Sequence, residues 1–157
     1  MSDLFHEEIP DSYLRQVIAV MRQASIHTFQ ILTKRAERMA EFLRLEKLPR
    51  NVWVGVTVEN RGHGLPRLDA LRRISASIRF VSAEPLLEDL DEIDLAGLDW
   101  VIVGGESGPK ARPMKREWVL NIKRQCDEQR VDFFLQTVGR LGTGRKKAQQ
   151  EKQRPHA

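Results

Sequence analysis

Lys34, Glu59, Glu84 and Glu106 share one kind of place in the sequence: each follows directly on a short apolar run. The runs are FQILTKR (Phe29–Arg35), VWVGVTVEN (Val52–Asn60), IRFVSAEP (Ile78–Pro85) and WVIVGGESG (Trp100–Gly108), with a fifth, DFFLQT (Asp132–Thr137). A carboxylate at the end of a buried strand can accept hydrogen bonds from a ligand's amine or hydroxyls, or act as a general base. Lys34 and Arg35 can neutralise a carboxylate or a phosphate. Each residue taken singly is as well explained by a solvated rim; their convergence argues for a site.

VGGESG (Val103–Gly108) is the strongest local signal. Gly104 and Gly105 allow a sharp turn and a close backbone approach to a ligand. Their N–H groups are expected to form an anion nest, with Glu106 as an acceptor and Ser107 as a hydroxyl beside it. It is neither a Walker loop, because no Gly-Lys-Ser/Thr follows, nor a GxGxxG turn. In SAEP, Ser82 and Glu84 precede Pro85, which fixes the exit from the strand. Asp3 and His6 lie in an acidic opening segment that reaches the same rim if it follows a strand. No catalytic residue can be assigned, no metal site is expected, and Cys126 on an apolar helical stripe reads as a core residue.

The elements that must position these residues follow from pattern. Apolar runs without alternation read as strands buried on both faces. Helical spacing marks Asp11–Gln23 with a cap at Asp11 or Ser12, Arg35–Leu45, a helix from Pro66 through Leu68, Leu71 and Ile74, and Arg116–Gln129. The acidic stretch Leu86–Leu98 is too broken for a helix. Strand starts fall 22 to 32 residues apart, the length of a β-loop-α-loop unit. Right-handed crossovers then make the sheet parallel, and parallel α/β folds place ligands at the carboxyl rim.

The chain has 157 residues, 41% hydrophobic and 31% charged, with a net charge of +4 and one cysteine. From Arg140 onward there are six cations and one anion; without them 20 Lys and Arg face 21 Asp and Glu. The division expected is a folded domain over 1–139 and a basic, disordered tail over 140–157. Nucleic acid is not expected as a partner of the body and is left to the tail. No apolar run reaches the length of a membrane span and the opening segment has no signal-peptide plan, so no membrane contact and a cytoplasmic location are expected.

MSDLFHEEIPD, HTFQILTKRAERM, LPRNVWVGVTVEN, IRFVSAEPLL, LDWVIVGGESGP followed by ARPM, and VDFFL stand in this order over residues 1–139. In these motifs the chain resembles the phage-associated radical-SAM-like family named for gene products thirty-seven and sixty-eight of two phages. The resemblance implies a β/α-barrel that binds S-adenosylmethionine and a [4Fe–4S] cluster at its rim. Members of that family carry a cysteine triplet of the C-x-x-x-C-x-x-C kind ahead of the first of these motifs, and iron–sulfur clusters need such thiolates. No triplet is present here, so a cluster is not expected in this chain. Gln136, Thr137 and Val138 also replace the Lys, Gln and Trp of the family's last motif. The fold expected is a partial (β/α) TIM-type barrel of about five parallel strands with outer helices and its first strands missing. The function expected is that of an amino-terminally truncated member that keeps part of the ligand rim without cluster or radical chemistry. The alternative is a non-catalytic binding module or subunit completed by a cysteine-bearing partner chain; the partners expected are such a chain or a second copy, through self-association at the open barrel edges.

Overall fold

The structure is a computed structural model, and it describes residues 3–137. Its elements run α1 (Asp11–Gln23), β1 (Phe29–Thr33), α2 (Ala36–Leu43), β2 (Val52–Thr57), α3 (Arg61–Gly64), α4 (Arg67–Arg72), β3 (Arg79–Ala83), β4 (Trp100–Gly104), α5 (Arg116–Gln129) and β5 (Asp132–Thr137). The five strands form one all-parallel sheet in the order β1-β2-β3-β4-β5. The tail expected over 140–157 lies outside the described residues.

Strand order equals chain order, so every crossover moves one place in the same direction. Crossovers of one hand then deliver every helix to the same face. The core agrees: Ile31, Val54, Val56, Val81, Val101 and Val103 pack in one cluster with Leu14 and Ile18 of α1, Met39 and Phe42 of α2, Leu71 of α4 and Ile122 of α5.

The opposite face carries Leu32, Trp53, Phe80, Trp100, Ile102 and Phe134, as the pairing register shows. None of these six belongs to the cluster that holds the helices; Phe80 and Ile102 are buried, and Leu32 is 43% exposed. The aromatic rings cover part of it themselves: Trp100 stacks edge-on to Trp53 at 6.1 Å and packs at 6.0 Å from Phe80 and 6.3 Å from Phe134. Burial on both faces therefore fails at β1, where Gln30 and Leu32 are exposed and burial alternates. The apolar run there reflects an edge strand with one packed face.

Three local expectations change. α1 is preceded by Pro10, and no side chain caps it, so Asp11 lies in the first turn, where its charge suits the helix dipole. A short helix, α3, precedes α4; Asn60 caps it by accepting from the His63 N–H at 2.8 Å. The acidic stretch is irregular, as expected, but it is anchored. Gln125, fully buried on α5, accepts from the Ile93 N–H at 2.6 Å and donates to the Asp91 carbonyl at 2.7 Å. Gln129, one turn on, accepts from the Leu95 N–H at 2.8 Å.

Candidate functional site at the carboxyl rim

The rim is built from the residues that leave each strand. At β1 the segment from Asp3 to Pro10 lies over the strand end. The Asp3 carboxylate accepts from the Thr33 hydroxyl at 2.6 and 2.7 Å, from the Phe5 N–H at 2.9 Å and from the Lys34 N–H at 3.2 Å. Arg35 adds a contact at 3.3 Å. Burial pushes the Asp3 carboxyl up, but the hydrogen bonds, led by that of Thr33, outweigh it and hold the group below its ordinary value. Phe5, fully buried, packs on Phe42 at 6.2 Å and anchors the same segment. Asp3 is therefore a tie within the rim, and its oxygens are already taken. His6 turns to its own segment and accepts from the Glu8 N–H at 3.3 Å.

Lys34 donates to Glu59 at 2.7 Å, linking the exits of β1 and β2. Glu106 is engaged more fully. Arg112 donates to it from Nε and Nη2, both at 2.9 Å, and from its backbone N–H at 2.8 Å. These bonds hold the Glu106 carboxyl down to about 2. Glu106, expected as a ligand acceptor, thus closes the loop after β4 on itself. Ser107 is exposed beside it. Arg112 was not singled out from the sequence; a cation six residues beyond Glu106 was the available signal.

The glycines also work differently from the expected nest. Positive φ occurs at Gly97 and Gly108 among the described glycines, away from Gly104 and Gly105. Gly104 instead supplies space. A Cβ there would stand 2.4 Å from Glu84 Oε1 and 3.0 Å from its Cγ. Its carbonyl accepts from the Leu86 N–H at 2.9 Å, and Leu87 donates to the Glu59 carbonyl at 3.1 Å. The chain leaving β3 is thereby pinned to the exits of both neighbouring strands, with a cis peptide between Glu84 and Pro85.

Glu84 is the exception on this rim. Ser82, itself buried, donates to it at 3.1 Å, and among the described residues no cation pairs with it. Burial pushes its carboxyl up, and the Ser82 hydrogen bond only partly offsets this. A half-buried carboxylate with spare acceptor sites is what an amine- or hydroxyl-bearing ligand requires.

The residues present do not fit an iron–sulfur cluster. Cys126 is fully buried in the helix-side core, where burial pushes its thiol up to about 12. Among the described residues no three His, Cys, Asp or Glu side chains are grouped to hold a metal ion. Among them, too, no helix is long and apolar enough to cross a membrane.

A family model described as a protein of unknown function, DUF5131, matches residues 1–156. No curated protein and no solved structure matches the chain.

Proposed function

We propose that this chain, which belongs to the DUF5131 family, supplies part of the ligand-binding rim of a TIM-type β/α-barrel related to the radical-SAM-like phage proteins it resembles, without holding the cluster or performing radical chemistry by itself. One observation carries the ligand site: the Glu84 carboxylate is desolvated and seated over Gly104, with Ser82 as its sole hydrogen-bonding partner among the described residues. The ligand that the resemblance implies, S-adenosylmethionine, offers an α-amine and ribose hydroxyls that suit such an acceptor. Glu84 would bind and orient that ligand; Ser82 would hold the carboxylate in place.

The barrel reading is supported by the winding. A sheet wound in one direction has helices on one face, and a parallel sheet is normally covered on both. Curling into a barrel resolves this by turning the second face inward, where side chains from the strands fill the interior.

Calorimetric titration of the protein with S-adenosylmethionine tests the site. Saturable binding that weakens about tenfold or more in Glu84→Gln, while Glu106→Gln changes little, is expected from the loss of a charge-assisted hydrogen bond. Equal binding by wild type and Glu84→Gln would sink the assignment. Reconstitution with iron and sulfide is expected to give no thiolate charge-transfer band near about 400 nm.

The aromatic face, which stands apart from the helix-side core cluster and leaves Leu32 exposed at its edge, favours a second reading, a binding subunit completed by a cysteine-bearing partner chain. Among the described residues β1 and β5 have no neighbour on their outer sides, and such edges also favour association. Sedimentation over a range of concentrations is expected to show self-association. A monodisperse monomer with a high melting temperature contradicts that arm.

A further inference from the structure

A cavity of about 360 Å³ opens on the outer side of the rim, between the start of α2 and the Pro66–Arg67 turn. Its wall includes Lys34, Arg35, Arg38 and Arg67, with Ala36 and Pro66 between them. It shares no residue with the Glu84 corner. We infer that this cavity is a binding site for a phosphorylated small molecule, with the four cationic side chains on the phosphate and the Ala36–Pro66 wall against the remainder.

The cations are held but not exhausted. Lys34 is steadied by Glu59 at 2.7 Å and Arg35 by Asp3 at 3.3 Å. Arg38 reaches the Ile9 carbonyl and Asp11 through one nitrogen, Nη2. Arg67 donates from Nη1 to a neutral acceptor, the Thr57 carbonyl, at 2.6 Å, and among the described residues it forms no ion pair. A guanidinium carries five N–H donors in a fixed plane, so each arginine keeps donors free while one nitrogen fixes its position. The acid on this wall, Glu37, is drawn to Arg73.

A phosphate presents acceptors alone, and it suits planar donors converging from several residues. A carboxylate would satisfy one arginine fork and leave the others unused. The volume exceeds what a lone phosphate needs and lies at the lower end of the range for small-molecule sites, roughly 300–1,000 Å³. It therefore has room for the group that carries the phosphate.

Calorimetric titration of the full chain with inorganic pyrophosphate, at fixed ionic strength, tests the inference. Saturable binding is expected, weakened about tenfold in Arg67→Gln and in Arg35→Gln, with partial recovery in Arg67→Lys. Lys123→Gln, a cation on α5 paired with Asp127 far along the chain, should bind as wild type does. If Arg67→Gln loses its native circular dichroism, Lys34→Gln, whose side chain is half exposed, supplies the same reading. Absence of saturable binding, or an equal loss in Lys123→Gln, overturns the site, since the second result would show attraction by bulk charge only.

Discussion

Gly55 and Gly104 do the same steric work at opposite ends of one sheet face. Each lets a side chain from β3 or its exit lie directly on a neighbouring strand. Over Gly55 lies the ring of Phe80, and a Cβ there would meet three ring carbons at 2.5 to 2.6 Å. Over Gly104 lies the carboxylate of Glu84. The first contact is apolar, 2% exposed and locked against Trp100. The second is polar, half buried and incompletely satisfied. The same device therefore makes a floor that stabilises and a rim that costs stability. A carboxylate kept desolvated without a cation is expected where a ligand will complete its bonding.

The largest effect should come from breaking the floor. In Gly55→Ala the Phe80 ring must move, and Trp100 stands on its far side. Overpacking of this kind costs about 1–3 kcal/mol. Urea denaturation should show that loss, with the slope of the transition unchanged. Wild-type stability in this variant would mean that the ring has somewhere else to go and the floor is not packed.

At the rim the same substitution should cost less. In Gly104→Ala the clashing atom is the far end of a flexible side chain, so Glu84 can swing outward. A loss below about 1 kcal/mol is expected, together with loss of ligand binding as large as that of Glu84→Gln. A Gly104→Ala protein that binds as wild type does would show that Glu84 need not occupy its present place.

The contrast between floor and rim was only half legible in the sequence. The strands, the parallel order and the row Lys34, Glu59, Glu84 and Glu106 follow from local pattern, because buried strands and their polar exits are local features. Which of those charges remain unspent is not local. Lys34 finds Glu59 across 25 residues and Asp3 finds Thr33 across 30. Glu106 meets Arg112 through a loop whose path no periodicity dictates. The glycine roles were missed for the same reason. The runs VWVGV and VIVGG look alike in isolation, and the atom that fills the space over Gly55 or Gly104 comes from β3 or its exit.

The smallest effect, and the most telling in sign, is that of Glu84→Gln on stability. Burial raises the Glu84 carboxyl above its ordinary value of 4.5. Between the unfolded and folded values the native state then holds more protons than the unfolded state. Stability must therefore fall as pH rises through that window. The penalty is absent well below pH 4.5 and fully present above the folded value. Glutamine carries no charge and keeps an acceptor for Ser82, so it should relieve the penalty. Glu84→Gln should match wild type in melting temperature at pH 3. It should exceed wild type at pH 7, by less than about 1 kcal/mol, because the group is partly exposed and solvent screens it. Asp3, held below its ordinary value by Thr33 and its neighbours, has the opposite sign: its contribution is present above the ordinary carboxylate value and is lost as pH falls through its lowered one. Melting curves of wild type, Glu84→Gln and Asp3→Asn from pH 3 to 7 separate the two. If Glu84→Gln is less stable than wild type at pH 7, Glu84 is a structural carboxylate with a partner of its own, and the distinction between a stabilising floor and a costly rim fails.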